Sequence, residues 1–419
     1  MGLLRRQAVL AALTANALRP VPGFRAGLPA FAAGWVTGEL APQLLAASAA
    51  DTALHLARGR RDPRALALAG ATTAGLARLV RESRLAEGEV EAALVEALGD
   101  DYREHLGPLE DDGVPARTPW RRLVNPVQLR APGVHVERDI SYAPWGRRGL
   151  LDVYRPAVDE AGTAPADLAG APVLVQVHGG GWTMGTKDTQ GLPLMRHLAR
   201  RGWVCVSLNY RLAPRDRFPA QIEDVKRVLA WVKQHAAAYG GDPSYVAITG
   251  GSAGGHLAAL AALTPHEKVW QPGFEDADTS VVAAAPFYGV YDFAGATGMR
   301  RAEQLRDRYL APRVLGRRWT QDPEAFESAS PLLQVTPDAP DFLVIHGRRD
   351  SLVPVDQARQ LVHRLREATA GTGTAVAYAE LTGAQHAFDV LPSIRTTHVV
   401  DGIERFLRWH WHRRSQASG

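Results

Sequence analysis

A serine, an aspartate and a histidine, in that order along the chain, are the residues whose settings suit acyl transfer. Ser252 lies where a short apolar run rich in β-branched residues (Val246, Ile248, Thr249) gives way, at Gly250 and Gly251, to an Ala/Leu-rich helical pattern beyond Gly255. That is a strand, a sharp turn and a helix, with a hydroxyl on the turn. Gly250 and Gly254 bracket the serine as G-x-S-x-G, the spacing of a nucleophile elbow. So tight a turn strains the serine's backbone and closes only if the neighbours two away lack side chains. The helix that follows aims its free N–H groups at any negative charge forming beside the serine. In a chain with 40 glycines such a motif also arises by chance, so it needs corroboration from elsewhere.

Corroboration comes from three other strand ends. After a strand ending at Val177 stands His178-Gly179-Gly180-Gly181-Trp182, a glycine run that lets backbone amides approach an oxyanion. Gly180 and Gly181 are the candidate donors, with Ala253 as a third. After a strand ending at His346 comes Asp350, placed to orient a histidine; Asp338 and Asp341 precede that strand and lie at its wrong end. After a strand ending at Leu381 comes His386, which completes the order Ser, Asp, His. His346 is close to Asp350 in sequence, His410 and His412 fall on the last helix, and His178 and His256 flank the site in structural settings. In this scheme His386 takes the proton of Ser252, Asp350 fixes the imidazole tautomer, and water later releases the acyl group. No H-E-x-x-H or other metal motif is present, and the chemistry needs no cofactor.

The elements that must position these residues follow from periodicity. Val134 to Tyr142 and Leu151 to Tyr154 read as an antiparallel hairpin around a Gly146–Gly149 turn. Strands are expected at 172–177, 203–208, 245–250, 281–285, 342–346 and 375–381, and helices at 192–201, 219–235, 357–368 and 394–410. Strands alternating with helices predict an α/β fold with a mostly parallel sheet covered on both faces. Ligands bind such sheets outside the carboxyl ends of the strands, where the candidates lie.

Before this domain the chain is different. Residues 1–84 are Ala/Leu-rich and poor in acids. Leu3 to Leu18 carries Arg5 and Arg6 before a core, Ala8 to Leu13, that is short for a signal peptide, so the sequence favours a cytoplasmic or membrane-associated protein over a secreted one. Gly27 to Ala50 approaches membrane-spanning length, but Glu39 near its middle disfavours insertion by about 2.5–3.5 kcal/mol. Ala65 to Ala77 is shorter than the roughly 20 residues of a crossing. An Ala-rich helical layer packed on the larger domain is the preferred expectation; contact with a membrane surface through 1–84, helped by Arg58, Arg60, Arg61 and Arg64, stays open. Glu87 to Leu98 reads as a separate helix with acids in its first turns and Gly99 at its end. Residues 107–119 carry Pro, Gly and acids without periodicity and divide a helical region, 1–115, from a catalytic domain, 116–419.

The net charge of +4 resides in scattered arginines, since Lys187, Lys226, Lys233 and Lys268 are the only lysines, and no basic tail or RNA-binding motif suggests nucleic acid as a partner. Cys205, the single cysteine, lies in an apolar run and reads as an inert core residue.

Taken together, His178-Gly-Gly-Gly-Trp182, Asn209-Tyr-Arg-Leu-Ala-Pro214, Gly250-Gly-Ser-Ala-Gly-Gly255, Asp350 and His386 resemble the hormone-sensitive-lipase-like carboxylesterases and lipases of the α/β-hydrolase superfamily. The resemblance spans about 134–413. It implies an eight-stranded sheet, hydrolysis of short- to medium-chain acyl esters, Ser252, Asp350 and His386 as triad, and Gly180, Gly181 and Ala253 as oxyanion hole. The Ala-rich amino-terminal region resembles extensions of some actinobacterial lipase/esterase homologues. One departure is Gly251, where that family commonly has an acid; in this the chain is similar to feruloyl-esterase-like and formamidase-like branches.

Two further expectations concern substrate. The stretch 291–333 is too long for a simple connection and reads as a small cap insertion, with Arg300, Arg301, Arg306, Arg308, Arg313, Arg317 and Arg318 on a solvated face or toward an acidic partner. Trp182, Tyr210, Phe287, Tyr288 and Phe388 follow strands and are candidates to line the acyl pocket. An amidase or arylformamidase on the same triad, and a catalytically silent membrane-associated binding protein, are the alternatives to a serine carboxylesterase acting on a small-molecule or lipid ester.

Overall fold

The computed structural model describes residues 2–106, 132–157 and 170–417. The boundary expected within 107–119 lies outside these residues. An eight-stranded sheet runs in the order β1-β2-β4-β3-β5-β6-β7-β8. Its strands are β1 (Val134–Ser141), β2 (Leu150–Pro156), β3 (Ala171–Val177), β4 (Val204–Leu208), β5 (Gly241–Gly251), β6 (Ala283–Phe287), β7 (Asp341–Gly347) and β8 (Val376–Leu381). The pairs β1–β2 and β2–β4 are antiparallel; the remaining five pairs are parallel. The expected hairpin and parallel sheet are therefore present. β3 and β7 are buried along their whole length, which is why their sequences read as continuous apolar runs.

Two apolar layers sandwich the sheet. On one face α6 (Ala220–His235), α7 (Ala253–Leu263) and α10 (Asp356–Ala368) pack through Ile222, Val225, Leu257, Leu361 and Leu365. On the other, α5 (Leu192–Arg200) and α11 (Ile394–Ala417) contribute Leu194, Leu198, Ile403 and Phe406. Cys205 belongs to this second layer, and burial pushes its thiol far above the ordinary range, as an inert core residue requires. Between β6 and β7, residues 291–333 form α8 (Arg300–Leu305), a π-helical stretch Arg306–Leu315 and α9 (Pro323–Ser328).

Among the described residues four α-helices precede the sheet: α1 (Leu3–Leu18), α2 (Gly27–Glu39), α3 (Ala41–Ala57) and α4 (Pro63–Leu98). The 27–50 stretch is broken at Leu40 into α2 and α3, and no described helix is long and apolar enough to cross a membrane. One expectation is corrected here: residues 87–98 are not a separate helix, because α4 runs unbroken for 36 residues. Asp62 caps its start by accepting from Arg64 N and Ala65 N, and 78–86 holds neither Gly nor Pro to stop it. The acids taken for a first turn serve instead as tethers. Glu91 bonds Tyr102, Arg103 and Arg405, Glu89 accepts Thr382 N at 3.0 Å, and Glu82, one turn earlier, pairs with Arg349 at 2.6 Å. Ala86, Val90 and Leu94 complete the attachment by joining the core layer of α11. Each fully buried Val or Leu there contributes roughly 1.5–3 kcal/mol.

Candidate active site

The elbow is built by steric exclusion. β5 and α7 meet at Ser252, whose backbone adopts φ 59 and ψ −118, a region costly for any residue with a side chain. Ser252 N donates to Phe287 O at 3.0 Å, which ties the turn to the end of β6. A Cβ on Gly254 would stand 2.1 Å from Val177 O, and one on Gly250 2.6 Å from the same oxygen. Neither position admits a side chain, so the serine is left standing above the sheet at the amino end of α7.

The register of the sheet gathers the other candidates. Gly251 pairs with Phe287, Phe287 with Ile345, and Gly347 with Leu381, so β5 to β8 end together at one edge. Asp350 and His386 leave that edge on adjacent loops, and His386 Nδ1 meets Asp350 Oδ2 at 2.6 Å. The other carboxylate oxygen accepts the amides of Leu352 and Val353, both at 2.8 Å. Burial alone would raise the Asp350 carboxyl, but the charge of His386 and hydrogen bonds from His346 and His386 hold it far below the usual carboxylate range. It is thus a fixed anion. His346, set aside on sequence grounds as a near neighbour, is a second imidazole on the same oxygen at 3.3 Å and also bonds Val353 O.

The glycine loop after β3 presents amides without protein acceptors. Gly180 and Gly181 take φ 120 and 59, and neither they nor Ala253 donate to another group among the described residues. The loop is braced from three sides. Tyr210 Oη donates to His178 O at 2.9 Å and its ring stacks on His178; Ala213 N donates to Trp182 O at 2.9 Å; Tyr309 Oη, from the π-helical stretch, donates to Gly181 O at 3.0 Å. The Asn209–Pro214 segment is therefore scaffolding for the glycine loop, itself pinned by Arg211 on the buried Asp224. His178 and His256 are fully buried, and desolvation lowers them to about 4 and about 3, which keeps both neutral.

Among the five aromatics proposed for the pocket, Tyr288 stacks beside His386: its ring centre lies 4.5 Å from that of His386, and its hydroxyl donates to Asp389. Trp182 bonds His256 and packs on Phe293, while Phe287 and Phe388 pack on Tyr288; all are 2% exposed or less. They form the packed floor under the site.

Several neighbours carried no sequence signal. Gln385 Oε1 accepts both Ser351 N and His386 N, stapling the acid loop to the histidine loop. Phe31 of α2 sets its ring edge-on to His386 at 5.7 Å, and the Ser351 hydroxyl donates to Gly27 O. Glu39, the acid that argued against a membrane span, is buried beneath them against Arg395 and Ser393. A helix from the amino-terminal layer thus walls His386. A histidine's neighbours more than 300 residues away leave no local pattern to find. Among the described residues no three acids, cysteines or histidines are grouped as metal ligands.

Parallel strands in this order, with a serine elbow at the central strand, constitute the α/β-hydrolase fold, and the protein is an ester hydrolase of that class. Residues 151–365 match the BD-FAE family, and the chain belongs to it. It is 43% identical to the probable carboxylic ester hydrolase LipM of Mycobacterium tuberculosis, over 97% of this chain and 93% of that protein. It is 40% identical to esterase LipQ of the same organism, over 96% and 90%. Among solved structures, esterase B of Lactobacillus rhamnosis superposes with a TM-score of 0.55 at 22% identity, over 71% of this chain and 93% of that one. A truncated carbohydrate esterase from gut microbiota gives 0.52 at 24%, over 65% and 96%. Both share the fold.

Proposed function

We propose that the protein is a serine hydrolase of short- to medium-chain carboxylic esters, with Ser252 as nucleophile, His386 as general base and acid, and Asp350 as the orienting carboxylate. The bond from His386 Nδ1 to Asp350 Oδ2, at 2.6 Å, carries this reading, because it turns Nε2 away from the acid and leaves it free to accept a proton. As Ser252 Oγ attacks the acyl carbonyl, its proton passes to His386 Nε2, and the buried Asp350 anion stabilises the imidazolium. The amides of Gly180, Gly181 and Ala253 receive the oxyanion, each such donor contributing about 10²–10³ in turnover. Collapse breaks the ester C–O bond, and the alcohol leaves with the proton from His386. Water then gives a proton to His386, attacks the acyl-serine, and releases the carboxylic acid with Ser252 restored.

Ser252→Ala should abolish fluorophosphonate labelling and lower kcat on p-nitrophenyl butanoate by about 10⁶-fold. Retained turnover in that variant, with the protein folded, would overturn the assignment. Faster turnover of N-formyl anilides than of esters would move the specificity to C–N bonds while leaving the triad in place.

A further inference from the structure

Between the α1–α2 connection and α8 lies a cleft of about 680 Å³, within the range of small-molecule sites. None of the triad residues lines it. Arg25, Arg300, Arg301 and Arg308 do, and no carboxylate does. None of these four arginines makes an ion pair among the described residues, unlike Arg306 with Asp307 or Arg317 with Asp322 in the same insertion. Four arginines lining one cleft without an acid repel one another, and an oxyanion would relieve this through paired N–H···O bonds. The cleft also has an apolar surface, the exposed ring of Phe24, over which the Arg308 guanidinium sits at 5.7 Å.

Its position connects it to the chemistry. Arg308 adjoins Tyr309, which holds the oxyanion loop through Gly181 O. On the opposite wall Ala26 adjoins Gly27, whose carbonyl accepts the hydroxyl of Ser351, next to Asp350. The two walls therefore each rest on one of the loops that flank Ser252.

We propose that this cleft is a subsite for a carboxylate or phosphate group carried by the ester that is hydrolysed at Ser252. The inference rests on the serine-hydrolase reading above. It makes the preferred substrate an amphiphile, with an anionic end in the arginine cleft, an apolar portion against Phe24 and the acyl carbon at the elbow. The anion is either part of a soluble ester or the headgroup of an ester lipid.

The test uses the full chain and two p-nitrophenyl esters of matched length, the butanoate and the hemisuccinate, which differ in a terminal carboxylate. In the variant R300Q/R301Q the ratio of kcat/KM for the anionic ester to that for the neutral one should fall about tenfold, and added salt should lower the wild-type ratio in the same direction. The pair R58Q/R60Q, on the α3–α4 connection and outside the cleft, should leave the ratio where it was. In parallel, Ser252→Ala protein, with and without R300Q/R301Q, is sedimented with phosphatidylcholine vesicles alone or mixed with phosphatidylglycerol. Loss of binding to the mixed vesicles on R300Q/R301Q identifies a lipid headgroup; loss of the ester ratio alone identifies a soluble acid. An unchanged ratio together with unchanged vesicle binding overturns the subsite, as does an equal fall of the ratio in R58Q/R60Q. Wild-type protein that hydrolyses neither ester overturns the serine-hydrolase reading itself.

Discussion

Gly251 and Tyr288 occupy space that cannot be shared with a side chain: a Cβ on Gly251 would stand 2.7 Å from the Tyr288 hydroxyl and 3.0 Å from its ring. This accounts for the glycine before Ser252, the point where the chain leaves the pattern it otherwise resembles. Tyr288 packs on His386 and donates to Asp389, whose carboxyl burial pushes up to about 6 despite that hydrogen bond. The acid missing at 251 is thus matched by an acid three residues after the histidine, reached through a tyrosine.

The ring is too enclosed to move aside. Gly251→Ala should lose about 1–3 kcal/mol of unfolding free energy in urea titrations, as overpacking does elsewhere. The same substitution in a Tyr288→Phe background should cost less, since the nearest clashing atom is gone. Equal losses in both backgrounds would show that the Tyr288 hydroxyl is not what excludes a side chain at 251.

Glu39 and Arg395 link the amino-terminal layer to the loop that carries His386. Both side chains are 1% exposed, Ser393 Oγ donates to the same carboxylate at 2.6 Å, and Thr396, bonded to Ser393, donates to Phe388 O two residues past His386. Removing one member of a buried pair leaves an uncompensated charge, so Glu39→Ala should cost roughly 3–5 kcal/mol. Glu39→Gln, which keeps an acceptor for Ser393 and Arg395, should recover part of the stability and of the ester turnover. Thermal melts and kcat measured on the three proteins check both; a Glu39→Ala melt matching wild type would remove the pair from the account of how this layer is attached.

Glu91 sets an acid limit on the same attachment. Burial raises its carboxyl, but bonds from Arg103, Tyr102 and Arg405 outweigh this and bring it to about 2, below the ordinary 4.5. Between those values the unfolded chain binds more protons than the folded one, so the stability Glu91 contributes is complete above about pH 4.5 and is lost as pH falls toward 2. Urea midpoints measured across this window should decline less steeply in Glu91→Gln than in wild type. Parallel curves for the two proteins would assign the acid sensitivity to other carboxylates.

Much of this protein is written locally in its sequence. Ser252, Asp350 and His386 stand out as candidates because each follows a short apolar run, and a strand's end, a glycine-bracketed turn and the chain order are properties of neighbours a few residues apart. The alternation of strands and helices gave the parallel sheet for the same reason. What failed was equally specific. The acids of 87–91 look like a helix start because composition cannot distinguish a carboxylate facing a helix dipole from one reaching Thr382 or Arg405. Glu39 looks like an obstacle in an apolar stretch until folding brings Arg395, 356 positions away, against it. Phe31 beside His386, Gln385 between two loops, and Tyr288 over Gly251 are contacts of packing, set by which surfaces fill one another's space. The sequence by itself determined the class of fold and the strands that hold the candidate residues; only the tertiary structure decided that the amino-terminal helices pack against His386, because shape and charge complementarity between distant segments exist only once the chain has closed on itself.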